Sequence, residues 1–410
     1  MRRDGSSHRQ RRRCRHHSRA DERRRVQCAL GWCSARRLRH RCHRTRRSIP
    51  SGGCIVNKIP TLVLGGTGYV AGEVLRLVAG HPQLEIVGVM SDSQPGESVA
   101  KAFSHLAPAL GDLRFLSESD ITTLITTLPT SAVFSAAPHG VSAALIDKLL
   151  RAAEAAGTHP HVVDISADYR YASAEAYAAV YKHPHGAPSR LKDFTCALPE
   201  HLKKLPTLHV AHPGCFATAT LLASVPLLSL GLIQPTLFVS GVTGSTGSGR
   251  KPVDGTHHPT RHSDLYAYNA LAHRHAPEIT ACAAAASGIT ANFAFVPHSG
   301  PFARGIHVTV QATLATAHSG LDTQTLLAKL RNFYEGSTFV NVVDAPPRLK
   351  DVVASNYARL HASTEGRTIA VMCVIDNLTK GAAGGAVQWM NRLLNLPEHT
   401  GLTAPAAGWT

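Results

Sequence analysis

A chain of 410 residues with 44% hydrophobic and 6% aromatic content is long enough for two domains with cores of their own, and no apolar run reaches the roughly 18 residues that a membrane-spanning helix needs. The net charge of +16 suggests nucleic acid, but residues 1–54 hold 18 Arg, no Lys and only Asp4, Asp21 and Glu22 on the acidic side, so the remaining chain is electrically balanced. A membrane protein and a nucleic-acid-binding body are therefore excluded as first readings.

The same 54 residues carry Cys14, Cys28, Cys33, Cys42 and Cys54 and show no periodicity long enough to bury a face. Residues 1–55 read as a disordered basic extension. A transit peptide would be amphipathic and Ser-rich. A basic arm for RNA or DNA would carry lysines and aromatics beyond Trp32, and zinc would need a second clean pair beside Cys28 and Cys33. The preferred expectation is an artefact of a start site placed too far upstream, with the functional chain beginning near Val56. The four cysteines of the body (Cys196, Cys215, Cys282 and Cys373) do not form a disulfide framework, so a cytoplasmic location is expected, with no metal site.

The body opens with Thr61-Leu62-Val63-Leu64-Gly65-Gly66-Thr67-Gly68-Tyr69-Val70-Ala71. A buried strand runs into a glycine-rich turn that opens a helix with apolar Val74, Leu77 and Val78, the context in which such a turn lets a pyrophosphate rest on backbone amides. Gly65, Thr67, Gly68, Tyr69 and Val70 are the cofactor-binding candidates. The next strand, Leu84 to Met90, delivers Ser91-Asp92-Ser93. An acidic residue there suits the ribose hydroxyl of NAD and flanking hydroxyls suit the 2′-phosphate of NADP, so Ser91 and Ser93 join the candidates and the cofactor form stays open. Strands ending at Ala137-Pro138-His139-Gly140 and at Asp164-Ile165-Ser166-Ala167-Asp168-Tyr169-Arg170, with a helix from Val141 to Ala156 between them, argue for a doubly wound parallel sheet, a Rossmann-type domain over 56–211. His139, Ser166, Asp168 and Arg170 then face one crevice.

Leu208-His209-Val210-Ala211-His212-Pro213-Gly214-Cys215-Phe216 puts Cys215 where a strand turns into a helix. Backbone amides and the positive end of the macrodipole there are expected to ease ionisation of the thiol; the alternative is a small apolar residue packed at a helix start. Beyond it, a strand over Leu237 to Thr243 leads into Gly244-Ser245-Thr246-Gly247-Ser248-Gly249-Arg250-Lys251, a loop suited to a phosphate or oxyanion or a plain flexible linker. Two strands in hairpin order, Asn292 to Val296 and Ile306 to Leu314, predict an α+β second domain with a mixed sheet over 212–378. A helix from Leu321 to Tyr334 and strands Phe339 to Val343 and Thr368 to Ile375 complete it. The last helix, Gly384 to Leu396, has one apolar face and is expected to return to the first domain as part of a terminal segment over 379–410.

The glycine turn, Ala137-Pro138-His139-Gly140, Asp164 to Arg170, Leu198-Pro199-Glu200, His212 to Phe216, Gly241-Val242-Thr243-Gly244, His273-Arg274-His275-Ala276-Pro277-Glu278-Ile279, Pro297-His298, Arg304-Gly305 and Asp376-Asn377-Leu378-Thr379-Lys380-Gly381 stand in one order. Over residues 59 to about 397 they resemble the N-acetyl-gamma-glutamyl-phosphate reductase family, the arginine-pathway relatives of aspartate-semialdehyde dehydrogenase. Ala71 replaces the third glycine, and Asp92 stands where family members often carry Arg.

The resemblance implies that the Cys215 thiolate attacks an acyl phosphate, that phosphate leaves, and that hydride reduces the thioester, so one hard step becomes two easier ones. The family's His-Arg-His motif makes His275 the preferred acid-base residue, with His273 second and His298 third. Ser166, Arg170, Arg250, His298 and Arg304 are the substrate-side candidates, since a guanidinium grips phosphate or carboxylate bidentately, and Gly244 joins the cofactor side. NADP is the expected cofactor, with NAD not excluded; the partners expected are the small acyl phosphate and a second copy or more of the chain, as homodimer or homotetramer. The alternative is the same chemistry on a protected aminoadipyl phosphate or on aspartyl phosphate. A third reading, in which the basic arm is the working part, predicts that deleting residues 1–54 abolishes function.

Overall fold

The structure, a computed structural model, describes residues 58–409; the expectations for residues 1–55 lie outside it. Strand and helix alternate through the first half of this region: β1 (Ile59–Leu64), α1 (Tyr69–Ala79), β2 (Leu84–Met90), β3 (Phe115–Leu116), α2 (Glu118–Ile125), β4 (Thr130–Ser135), α3 (Ser142–Ala156), β5 (His159–Asp164), α4 (Ala174–Tyr181), β6 (Phe194–Cys196) and β7 (His209–Ala211). The strands pair in parallel in the order β3-β2-β1-β4-β5-β7-β6. Leu62, Val63 and Leu64 are buried without alternation, as a strand covered by helices on both faces requires. The strand order reverses between β1 and β4, which opens a crevice at their carboxyl ends.

The chain then enters α5 (Cys215–Ser229), buried from Phe216 to Leu228 and tolerating Pro226. An all-round apolar helix has to be enclosed, and α5 packs on a second sheet and against the helix α6 (Ala276–Ser287), which itself rests on that sheet. That sheet contains β8 (Ile233–Thr243), β9 (Tyr266–Ala267), β10 (Asn292–Ser299), β11 (Ile306–Leu314), β12 (Val340–Val342), β13 (Ala358–Glu365) and β14 (Thr368–Ile375) in the order β12-β13-β14-β11-β8-β10-β9. It is mixed, and its parallel pairs are β8 with β10 and β12 with β13.

The expected hairpin of β10 and β11 does not form. β8 lies between them, parallel to β10 and antiparallel to β11, because α6 intervenes between β8 and β10 and a parallel pair needs such a crossover. The run Ala276–Ser287, opened by Pro277 and closed by Gly288 at φ +74°, is the helix that the hairpin reading left out. β13, also not anticipated, pairs with β14 through a tight turn at Gly366-Arg367, with Gly366 at φ +55°.

Helix α7 (Thr323–Phe333) is capped by Asp322, which accepts the Thr325 amide, and so starts two residues later than expected. Helix α8 (Gly384–Leu393) ends three residues early. It buries Trp389, Met390, Ala386 and Val387 in the same core as Val63, Val74 and Phe134 of the parallel sheet and α1. The Trp389 indole donates to the Ala197 carbonyl at 2.9 Å, so the large ring is packed without an unpaired N–H. Among the described residues no helix is long and apolar enough to cross a membrane.

Candidate active site

The glycine turn assigns different tasks to its three glycines. A Cβ on Gly65 would lie 2.5 Å from the Ala137 backbone nitrogen, and its φ of +73° is one that L side chains rarely adopt; a Cβ on Gly66 would collide with Val89 and Met90. Gly65 lets the turn approach the loop after β4, and Gly66 lets it approach the end of β2. Gly68 has nothing near its missing Cβ and caps α1 without any side-chain hydrogen bond. The first amides of α1 are therefore free to receive an anion, and no acidic residue stands in that first turn. This is a cradle of the right chemistry for a dinucleotide pyrophosphate.

A cavity of about 340 Å³ runs from Gly68, Tyr69 and Val70 to Cys215 and His275. A second, of about 420 Å³, continues past Cys215 among Tyr266, Tyr268, Asn269 and His273. A third, of about 920 Å³, opens outward past Thr67, Ser93, Lys101, Arg250 and Lys251. Cys215 and His275 line both of the first two.

The geometry around the thiol is set by glycines and one carboxylate. Gly214 is the N-cap of α5, so Cys215 is its first residue. A Cβ on Gly214 would stand 2.5 Å from His275 Nε2 and 2.9 Å from Arg170 Nη1, and one on Gly381 would stand 2.7 Å from the Cys215 Cβ. Only hydrogen at these positions lets imidazole, guanidinium and the terminal segment crowd the thiol. Glu278, wholly buried in α6, accepts the Gly214 amide at 2.6 Å on Oε1 and pairs with Arg170 at 3.3 Å on Oε2. Arg170 also donates to the Ile165 carbonyl at 2.8 Å, while its Nε has no partner among the described residues.

Cys215 stands at the helix start that is expected to ease its ionisation, and burial there acts the other way. Its side chain keeps some exposure, yet packed surroundings push the thiol pKa up, and the Arg170 guanidinium and the Phe216 amide offset that only in part. A macrodipole contributes about 0.3–1 kcal/mol, less than one pKa unit, whereas desolvation acts over several. Burial, then the neighbouring His273, Arg170 and Arg274, hold His275 well below the ordinary imidazole range; burial and Arg274 hold His273 at about 4. Near neutral pH the site rests as a thiol beside two neutral imidazoles, and His275 Nδ1 is buried without a partner among the described residues. His273 Nδ1 accepts the His275 amide at 3.2 Å, with the two rings 4.8 Å apart.

The structure does not bring together every residue singled out from sequence. Ser166 and Arg170 line the first cavity, with Ser166 donating to Asp164 at 2.8 Å. Ser93 faces the outer cavity, but Ser91 is buried beneath the turn and accepts the Gln94 amide. Gly244 lines none of these three cavities; it lets its loop pack on Ala303, and the residues after it, Thr246 to Arg250, reach the cleft. His298 pairs with the Gly241 carbonyl on the sheet face opposite Phe295 and Ser299 and lines none of these cavities. Arg304 is spent, since all three of its nitrogens bind Asp376, Glu73 or Thr379. Asp168 serves the loop after β4, accepting the Gly140 and Ala143 amides and the Tyr177 hydroxyl. Glu278, Asn377 and Gly381 are the residues that sequence reasoning quoted within motifs without giving them a task. An acid in a helix's first turn is ordinary complement to the dipole, so Glu278 carried no separate signal.

The NAD-binding domain of the semialdehyde dehydrogenases matches residues 61–203 and their dimerisation domain matches residues 215–377. The N-acetyl-gamma-glutamyl-phosphate reductase of Pseudomonas putida (strain W619) is 39% identical over 355 residues, 83% of this chain and 97% of the relative. That of Pseudomonas entomophila (strain L48) is 40% identical over 347 residues, 83% and 96% of the two chains. The chain belongs to the N-acetyl-gamma-glutamyl-phosphate reductase family. The crystal structure of aspartate semialdehyde dehydrogenase II from Vibrio cholerae superposes with a TM-score of 0.60 at 14% identity, covering 83% of this chain and 99% of that one. The family's two-sheet fold is thus retained where little sequence is shared. As a member of a family whose first domain binds NAD, the protein uses a nicotinamide dinucleotide.

Proposed function

We propose that the protein carries out the NADPH-dependent reductive dephosphorylation of N-acetyl-L-glutamyl 5-phosphate to N-acetyl-L-glutamate 5-semialdehyde, a step of arginine biosynthesis. The observation that carries this reading is the position of Cys215, at the meeting of the cavity that leads from the glycine turn and the one lined by Tyr266, Tyr268 and Asn269, with His275 crowded against Gly214 directly before it. The relatives at about 39% identity are named for the same reaction.

His275 takes the thiol proton as the sulfur bonds to the acyl carbon. The carbon–oxygen bond to phosphate then breaks, phosphate leaves with its electron pair, and Cys215 holds the acyl group as a thioester. When bound, the dinucleotide supplies a hydride to that carbonyl carbon. His275 protonates the oxyanion of the resulting hemithioacetal and takes the proton back as the carbon–sulfur bond breaks and the aldehyde departs. Because Glu278 occupies the Gly214 amide, stabilisation of each oxyanion falls to amides further into α5, and one such donor is typically worth ~10²–10³ in rate. Arg170, anchored by Glu278, and the exposed Arg274 supply positive charge for the phosphate and the substrate carboxylate.

NADP in preference to NAD is supported by the outer cavity, where Ser93 and Lys251 offer a hydroxyl and an ammonium group for a 2′-phosphate beside the Lys101–Glu97 ion pair. A homodimer is supported by the face of the second sheet away from α5, where Phe238 is 58% exposed, and by the dimerisation domain matched there. The test is a reverse assay with the N-acetylated semialdehyde, inorganic phosphate and either NADP or NAD. Reduction of NADP with this aldehyde, and not with aspartate semialdehyde or the aminoadipate homologue, is the expected result; no turnover with any of the three aldehydes overturns the reading.

A further inference from the structure

Two residues, Gly68 and Arg250, are shared by the linings of the inner cavity that ends at Cys215 and the outer cavity that holds Ser93 and Lys101. They form the two sides of the passage between those spaces. Gly68 belongs to the turn after β1, whereas Arg250 is carried by the loop after β8, at the far side of the cleft. Arg250 crosses the opening: Nη1 donates to the Thr67 carbonyl at 3.1 Å, Nη2 to the Ala102 carbonyl at 2.9 Å, and the guanidinium lies over the Phe103 ring, 5.2 Å from its centroid. It makes no ion pair among the described residues, although acids such as Glu97 line the same outer cavity.

We infer that Arg250 is a latch on the cofactor's pyrophosphate and has no direct part in holding the acyl phosphate. The inference rests on the dinucleotide reading of the glycine turn. A dinucleotide that reaches from the outer cavity to Cys215 must pass between Gly68 and Arg250, and the segment of it that lies at the free amides of α1 is the pyrophosphate. The guanidinium then exchanges two neutral carbonyl acceptors for anionic oxygens, a stronger, charge-assisted bond. Gly249, at φ +85° with open space about it, gives the loop a joint beside Arg250, and Phe103 supplies a flat apolar surface on which the guanidinium stays stacked while its donors change partners. Because both states have hydrogen bonds, the gain is the difference between them, so the effect of losing Arg250 falls toward the lower part of the range for a charged pair.

The experiment measures dissociation constants by fluorescence titration of NADPH and of NADH, without acyl phosphate, for the wild-type chain, Arg250→Met, Arg250→Lys and Phe103→Ala. The expected result is a roughly tenfold weakening of both dinucleotides in Arg250→Met, partial recovery in Arg250→Lys, a smaller loss in Phe103→Ala, and an unchanged KM for inorganic phosphate in the reverse assay. Weakening of NADPH alone assigns Arg250 to the 2′-phosphate, and a raised KM for phosphate with unchanged dinucleotide binding assigns it to the substrate; either overturns the latch. If the wild-type chain binds neither dinucleotide, the proposed function fails and the latch with it, whereas tight wild-type binding that Arg250→Met leaves intact removes the latch alone.

Discussion

Glu278→Gln separates what the buried carboxylate does for the fold from what it does for the thiol. The amide is nearly the same shape and its oxygen still accepts the Gly214 amide, now as a neutral hydrogen bond worth about 0.5–1.5 kcal/mol in place of a charged one worth about 1.5–3. Arg170, 3.3 Å away and buried, loses its countercharge, and breaking a buried pair costs about 3–5 kcal/mol. Arg170 keeps the Ile165 carbonyl and a side facing the cavity, so a net loss of about 3 kcal/mol is expected. With unfolding entropy near 2.1 cal/mol/K per residue over roughly 350 residues, that corresponds to a fall in Tm of about 4 °C. The thiol is expected to move the other way from a merely damaged site. Glu278 raises the Cys215 pKa and Arg170 lowers it, so the variant's alkylation by iodoacetamide should have its pH midpoint below that of the wild type, while Arg170→Met shifts it upward. A melting curve and an alkylation pH profile on the same preparation check both. An alkylation midpoint that is unchanged or higher in Glu278→Gln refutes the electrostatic arrangement whatever the melting shift.

Cys215→Ser is predicted to retain NADPH binding and the melting temperature while losing nearly all turnover; more than a few per cent of wild-type activity counts against the nucleophile. His275→Asn is predicted to lower kcat and flatten its pH profile, with a lesser effect of His273→Asn, and the reverse ranking moves the acid-base role to His273. Arg304→Met is predicted to lower Tm while leaving the KM for phosphate unchanged, because its donors are bound to Asp376, Glu73 and Thr379; a large KM effect with no change in Tm sinks that reading. Burial holds His201, His209 and His273 at about 4 and His212 at about 3, against about 6.5 when unfolded. The unfolded chain therefore binds more protons between those values, and the stability present above pH 6.5 is lost as pH falls toward 4, by up to about 1.4 kcal/mol per unit for each histidine. Urea melts at pH 7, 6 and 5 check this, and a midpoint that does not fall over that range refutes it.

The first sheet was legible because its signals are local. A continuous apolar run, a glycine turn and a helix follow within one βα unit, and Cys215 at the first residue of α5 was fixed by Pro213-Gly214 directly ahead of it. The second sheet was legible strand by strand but not in its pairing, since the choice between a hairpin and a crossover turned on α6, whose Ala-rich sequence has little amphipathic contrast. Arg250 and Arg304 show the same limit at the site. Each follows a glycine-rich or turn segment with a free-looking guanidinium, and only the fold reveals that Arg304 meets Asp376 and Glu73 while Arg250 reaches Thr67. The partners lie 72, 231 and 183 residues away in sequence, and nothing local encodes them.

The thiol's raised pKa and the histidines' lowered ones belong to one cause, and this bears on how the proposed nucleophile stays quiet at rest. Burying Cys215, His273 and His275 together disfavours every charged form, so the empty cleft holds a thiol and not a standing thiolate open to oxidation or alkylation. Charge separation becomes affordable when an acyl phosphate brings its own negative charge to Arg170 and Arg274, which line the same cavity as Cys215. Its phosphate offsets the charge of Arg274 on both imidazoles and that of Arg170 on His275, which favours proton acceptance by His275, while the same anion offsets the help those cations give the sulfur. Alkylation of Cys215 at neutral pH should be slow in the free protein, and a rate that is already high there refutes the neutral resting state of the three groups.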